Sequence, residues 1–170
     1  MKTKKKELTE YNKIKHEKAV LRKRDIFRTA SDEINNLSEQ DLKFVGIALY
    51  WAEGYKTDIA RDVEFVNSDP DMIRLIMRWF RKACKVSEDK FKIRIQIHNP
   101  SNITNAVKFW SANTGVSAKQ FTKPYIKISP TSKGMVGAIH PHGVCHIRIA
   151  DTDLLNRIKG WINGMRGPIV

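Results

Sequence analysis

An apolar segment that stops abruptly on a carboxylate and a glycine constrains this chain more than any other feature. Residues 42–52 carry a single charge, on Lys43, and are followed by Glu53 and Gly54. The segment also contains three small residues, Gly46, Ala48 and Ala52. This pattern predicts a helix that a second backbone can approach closely, ended by Gly54 in the left-handed conformation that glycine adopts easily.

Glu53 lies in the last turn of this predicted helix, at the end where the helix dipole disfavours an anion. A carboxylate in that position requires a compensating cation, which is either a basic side chain or a metal ion. Glu53 is therefore the first candidate for a functional residue.

The charge balance indicates a polyanionic partner. The 170-residue chain has a net charge of +13, and its apolar content of 41% is sufficient for the core of one domain. Nucleic acid is the first candidate, and an anionic membrane surface is disfavoured because no segment pairs a basic face with a clean apolar one. No apolar run is long enough to span a membrane, and we expect no signal peptide because no apolar stretch lies near the N terminus of the sequence. Cys84 and Cys145 lie far apart in the sequence, which favours a reduced, cytoplasmic setting over a disulfide framework. If the partner is DNA, we expect the bound protein to associate with the nucleoid.

Basic residues are concentrated at the N terminus, where residues 1–37 contain few apolar positions. The sequence allows a solvated arm that is helical or disordered, or an arm that lies along phosphates. Residues 38–170 have the periodicity of a globular domain.

Within this domain helical and strand patterns are interleaved, which predicts an α+β fold with a largely antiparallel sheet. The predicted elements are a helix from the Ser38 cap to Gly54, two short strands within 55–67, a helix capped by the segment Ser68-Asp69-Pro70, a strand over 91–98, a helix over 106–114, a short strand over 125–129, a strand over 144–150, and a helix capped by the segment Asp151-Thr152-Asp153 that runs through Trp161.

One face of the predicted sheet carries side chains suited to DNA. Any half-buried sheet has a polar outer face, but the outward strand residues here are cationic or amide, with almost no carboxylates among them after Glu64. Such groups bind phosphates and base edges, so we predict a concave sheet face that binds a duplex. The residues predicted to contact DNA are Lys92, Arg94, Gln96, His98, Lys123, Tyr125, Lys127, His146 and Arg148, together with Lys56 directly after the first helix.

Residues 46–54, with the sequence GIALYWAEG, resemble the LAGLIDADG motif of homing endonucleases. The element order over roughly 40–165 is similar to the αββαββα core of that family, with an additional helix near 102–114. The resemblance implies a saddle-shaped sheet that faces DNA and a motif helix that packs against a second copy. It assigns four residues to that interface: Gly46, Ala48, Leu49 and Ala52. Trp51 departs from the family, which often has an acidic residue there, and Ala48 replaces a glycine.

The resemblance also implies that Glu53 binds Mg²⁺ or another divalent cation at the scissile phosphates. Because one motif is visible, it implies a homodimer in which each subunit contributes one Glu53 and cuts one strand. Such a site requires a basic group to stabilise the charge that develops on phosphate. Lys127 is the leading catalytic candidate, with Lys123 and Arg148 as alternatives.

A second cluster contains four potential zinc ligands, His140, His142, Cys145 and His146. No second ligand cluster accompanies it, which favours a basic loop and strand that contact DNA. Three tryptophans, Trp79, Trp110 and Trp161, are interpreted as helix core.

The leading hypothesis is therefore a site-specific, metal-dependent endonuclease of double-stranded DNA. Two alternatives use the same fold, a non-cleaving DNA-binding regulator and an RNA-binding splicing helper.

Overall fold

The structure is a computed structural model, and it describes residues 2–34, 36–97, 102–127 and 141–167. The chain divides into two compact units, Met1–Ser38 and Glu39–Val170. In the part of the chain that is described, no helix combines the length and apolar character that a membrane crossing requires.

The first unit is built on one long helix, α1 (Lys2–Glu33). Every residue of α1 from Glu10 onward is exposed, including Tyr11 at 62% and Phe27 at 74%. Over this part of its length, α1 therefore exposes both basic and apolar side chains to solvent.

The second unit is an α+β domain whose elements alternate along the chain. They are α2 (Glu39–Glu53), β1 (Val63–Asn67), α3 (Pro70–Lys82), β2 (Phe91–Ile97), α4 (Ile103–Thr114), β3 (Tyr125–Ile126), β4 (Val144–Ile149) and α5 (Thr152–Arg166). Short polar caps begin two of the helices: the Asp69 carboxylate accepts hydrogen bonds from the first turn of α3, and Asp151 accepts one from Leu154 N–H in α5.

The four strands form one mixed sheet in the order β1-β4-β2-β3. β4 pairs antiparallel with both β1 and β2, whereas β2 and β3 are parallel. The alternation predicted for the strand at 91–98 is confirmed over the described residues: Phe91, Ile93, Ile95 and Ile97 are buried, and the residues between them face outward.

The core lies between the inner face of the sheet and the helices. Helix α2 packs against three elements of the unit, namely α3, α5 and β1. Trp79 and Trp110 are fully buried, which confirms the prediction that these two tryptophans belong to the core. Trp161 is half-buried, with its ring 6.3 Å from that of Trp79.

One strand, not two, forms between α2 and α3. The prediction of two strands within 55–67 is wrong because the Ala60 N–H donates to the carbonyl of Thr57 and closes a turn there. A single antiparallel bridge joins Gly54 to Phe65 in β1. The predicted strand end at 128–129 and His98 lie outside the described residues.

Candidate nucleic-acid interface

The outer face of the sheet forms an open groove of about 640 Å³. The helices cover the opposite face, so the polar side chains of β1, β2 and β4 converge on this side. We call it the sheet groove, and its lining residues are Tyr55, Ile59, Ala60, Arg61, Asp62, Glu64, Lys92, Arg94, Thr122, His146, Arg148 and Ala150.

Cationic side chains from two neighbouring strands meet in the sheet groove. The register places Lys92 beside Arg148 and Arg94 beside His146. Lys92 and Arg94 are exposed, and neither forms a hydrogen bond or an ion pair with another described residue. The structure thus brings together four of the residues predicted to contact DNA, and Arg61 lies in the same groove.

Two carboxylates that the sequence interpretation overlooked also lie in the sheet groove. Asp62 precedes β1 and accepts from Nε of Arg148 at 2.6 Å and from its Nη2. The Asp62 side chain is only 25% exposed, whereas that of Arg148 is 59% exposed. Glu64 alternates with the buried Val63 and Phe65, and this spacing was the sequence signal that a carboxylate would face the groove.

Glu64 is paired with His146 across the β1–β4 boundary. Its Oε1 lies 3.2 Å from Nδ1 of His146. This hydrogen bond, assisted by the positive charges of Arg148 and Arg94, lowers the pKa of the Glu64 carboxyl against the opposing effect of burial. His146 and Arg148 therefore occupy the predicted face, but each is engaged by a carboxylate of the same chain.

The remaining predicted contacts lie toward the β3 edge. Gln96 is half-buried and pairs with Tyr125, which is 54% exposed. Lys123 and Lys127 are exposed on either side of β3. These side chains extend the polar face beyond the groove toward the β3 side.

Lys127 and Glu53 are not brought together within one chain. Gly54 bridges to β1, whereas the Lys127 N–H donates to Ile97 O and continues the pairing of β3 with β2. Because β1 and β3 are the two edges of the sheet, these residues are separated by at least about 14 Å. Arg148 is on β4, the strand next to β1, and is therefore nearer than Lys127 to the edge of the sheet at which Glu53 lies.

The end of α2 differs from the predicted left-handed cap. Gly54 does not have a positive φ, so that prediction is wrong. Glycine is required there for space, since a Cβ would lie 2.5 Å from Tyr50 O and 2.7 Å from the Tyr50 ring. The Tyr50 hydroxyl in turn donates to Tyr55 O at 3.0 Å and ties the helix end to the following segment.

A basic side chain supplies the positive charge at this helix end. Lys56 Nζ donates to Gly54 O at 2.8 Å, where it offsets the negative end of the α2 dipole. Lys56 is half-buried in this contact, so its predicted role at the DNA backbone competes with a role in capping. Glu53 is exposed and forms no ion pair or hydrogen bond with another described residue.

The predicted dimer interface is divided between two sides of α2. Gly46 faces inward, where Trp79 of the same chain fills the space, so its assignment to the dimer interface is wrong. Leu49 packs partly against the core. An apolar surface remains exposed on the other side; we call it the α2 outer face, and its residues are Phe44, Ala48, Trp51 and Ala52.

The zinc hypothesis is disfavoured by the directions of the side chains. Cys145 is fully buried toward the core, whereas His146 faces the sheet groove. The His142 ring stacks on Phe109 at 3.8 Å. His140 lies outside the described residues, and among those described no three His, Cys, Asp or Glu side chains form a metal-binding group.

Glu53 can supply one of the ligands that a divalent cation requires. Mg²⁺ is commonly held by one or two carboxylates together with substrate phosphates, and Glu53 offers one exposed carboxylate per chain. A second copy and the phosphates would have to supply the other ligands.

No protein-family model, no curated protein sequence and no solved structure matches this chain.

Proposed function

We propose that this chain is a homodimeric protein that binds duplex DNA and cleaves it in a metal-dependent reaction. The observation that carries the proposal is the sheet groove, an open surface into which Arg61, Lys92, Arg94 and Arg148 project. Glu53 lies directly before the bridge that joins α2 to β1, at the edge of the same sheet.

Duplex DNA suits the groove better than RNA does. The major groove of B-DNA is about 12 Å wide and admits paired β-strands, whereas that of an A-form helix is too narrow for side chains to reach the bases. The sheet groove presents cations on antiparallel strands β2 and β4, which can bind the phosphates and base edges of such a groove.

The α2 outer face supports the homodimer. Phe44 and Trp51 are 47% and 38% exposed and lie on the same side of the helix as Ala48. Burial of this surface against its own copy about a two-fold axis would set the two α2 helices side by side. The two Glu53 carboxylates would then lie near each other at the ends of those helices.

In the proposed reaction the residues of this chain bind and orient the duplex. Lys92 and Arg94 hold the phosphates and stabilise negative charge, and Glu53 would hold the divalent cation. When bound, a divalent cation lowers the pKa of a water molecule and offsets the charge that develops on phosphate.

The non-cleaving DNA-binding regulator remains the second candidate because of one observation. Lys56 already supplies a cation at the end of α2, so the helix dipole does not require a metal ion there. The groove and the α2 outer face serve this candidate equally well.

Duplex binding at several salt concentrations tests the shared part of both candidates. We expect Lys92→Ala with Arg94→Ala to weaken binding at least about tenfold and to reduce the salt slope by about 2, since each phosphate contact contributes about 0.9. The matched control is Arg78→Ala with Lys108→Ala, which removes two exposed cations from helices outside the groove. Equal losses in both double variants would contradict a binding site in the groove.

Removal of residues 1–24 tests the arm separately. The exposed basic side chains of α1 are expected to contact phosphate, so the truncated chain should bind more weakly with a smaller salt slope. An unchanged slope would mean that the arm does not touch phosphate.

A further inference from the structure

We infer that Arg148, held in place by Asp62, reads a guanine base, so that the DNA target contains a required G·C pair opposite the β1–β4 side of the sheet groove. This inference rests on the proposed function, and it adds the base identity and the pair of residues that select it.

The geometry of the pair leaves one side of the guanidinium free. Nε and Nη2 of Arg148 both donate to Oδ2 of Asp62, and Nη1 has no partner among the described residues. The Asp62 side chain is largely covered, whereas most of the Arg148 side chain is exposed to the open groove. The carboxylate is therefore the more covered partner, and the exposed part of the Arg148 side chain lines the sheet groove.

A contact with phosphate does not explain this arrangement. A carboxylate beside the arginine reduces its attraction for a phosphate and itself repels the DNA backbone. Lys92 lies beside Arg148 on β2, is exposed and has no carboxylate bound to it, which is the arrangement expected of a phosphate contact.

A contact with a base edge does explain it. Guanine presents its N7 and O6 acceptors side by side in the major groove, and an arginine fork matches both. An unrestrained arginine would lose rotamer freedom on binding, whereas the bond to Asp62 fixes the side chain beforehand. Asp62 therefore acts as a positioning residue, and Arg148 makes the contact.

Selection from randomised duplexes, followed by sequencing of the bound fraction, tests the inference. The wild-type protein should prefer G·C over other pairs at one position by about tenfold, the range of a good bidentate contact. Asp62→Asn keeps the size of the side chain but removes its charge, and Arg148→Lys keeps the charge but removes the fork. Both variants should reduce that preference to about twofold or less, without abolishing binding to duplex.

Asp58→Asn is the matched control, because it removes an exposed carboxylate that does not line the groove. It changes the net charge as Asp62→Asn does and should keep the full preference. If Asp62→Asn keeps the preference and only binds all duplexes more tightly, Asp62 merely neutralises charge and the inference is overturned. If Asp62→Asn loses the preference but Arg148→Lys keeps it, Arg148 is not the reader. If the wild-type protein binds no duplex, the proposed function fails instead.

Discussion

The indole of Trp79 occupies the space that a side chain at Gly46 would need. A Cβ built on Gly46 would lie 2.0 Å from Cγ of Trp79, and Trp79 is itself fully buried. The close approach that small residues allow on α2 is therefore used, at this position, by α3 of the same chain.

The first prediction concerns this contact. Gly46→Ala should lower the free energy of unfolding by about 1–3 kcal/mol, because the enclosed indole must move to admit one methyl group. For a chain of this size, thermal unfolding should shift downward by about 3–10 °C. The matched control is Gly160→Ala in α5, where a Cβ meets nothing within 4 Å. That variant should be unchanged or slightly stabilised, since alanine favours helix. Equal stability of the two variants would contradict the packing described for Gly46.

The second prediction concerns the α2 outer face. Ala48→Arg places a charge in the centre of this apolar surface and should convert a dimer to a folded monomer, because the interface would bury the charge unpaired. Light scattering during size-exclusion chromatography measures the mass. Ala112→Arg, at another exposed alanine in helix α4, should leave the mass unchanged. A wild-type protein that is monomeric both free and bound to DNA would contradict the homodimer.

The third prediction concerns pH. The pKa of Glu64 is lower in the folded protein than its ordinary value of 4.5, so ionised Glu64 stabilises the fold above that value. This contribution should be lost as the pH falls through the lower, folded pKa. Because the side chain is 35% exposed, Glu64→Gln should cost less than about 1 kcal/mol at neutral pH and nothing in strong acid.

Carboxyl-carbon NMR titration separates the causes of that shift. His146→Ala should raise the Glu64 pKa toward the ordinary range, since the hydrogen bond from His146 is its largest cause. Arg94→Ala should raise it by less. Identical titration of Glu64 in the wild-type protein and in His146→Ala would contradict the pairing of these two residues.

The fourth prediction concerns the two cysteines. Burial raises the pKa of both Cys84 and Cys145 to about 12, so neither is ionised to a useful degree near pH 8. A disulfide reagent should label both thiols only after denaturation.

The addition of zinc should leave the temperature of thermal unfolding unchanged, because one ion cannot contact Cys145 and His146 on opposite faces of the sheet. Rapid labelling of Cys145 in the folded protein would contradict its placement in the core.

Much of the fold follows from local patterns. The alternation over Phe91–Ile97 identifies β2, and the carboxylates of Asp69 and Asp151 mark the starts of α3 and α5. These signals are local, because the period of two and the helix cap are set by neighbouring residues.

The features that were missed depend on contacts between distant segments. The bond from Arg148 to Asp62 and the indole over Gly46 each join residues that lie far apart in sequence. The pattern of a small residue in an apolar helix is the same whether its neighbour is a second chain or Trp79. The turn at Thr57–Ala60 is different, because it is a local hydrogen bond in place of a strand that the residue types alone permitted.

Cleavage of a duplex library in the presence of Mg²⁺ tests the central claim most directly. The wild-type protein should break both strands at a small set of sequences, and Glu53→Gln should bind those sequences with similar affinity without cutting them. Tight binding without cleavage by either protein would contradict the endonuclease and leave the DNA-binding regulator. Cleavage by Glu53→Gln at the wild-type rate would show that Glu53 has no part in the reaction.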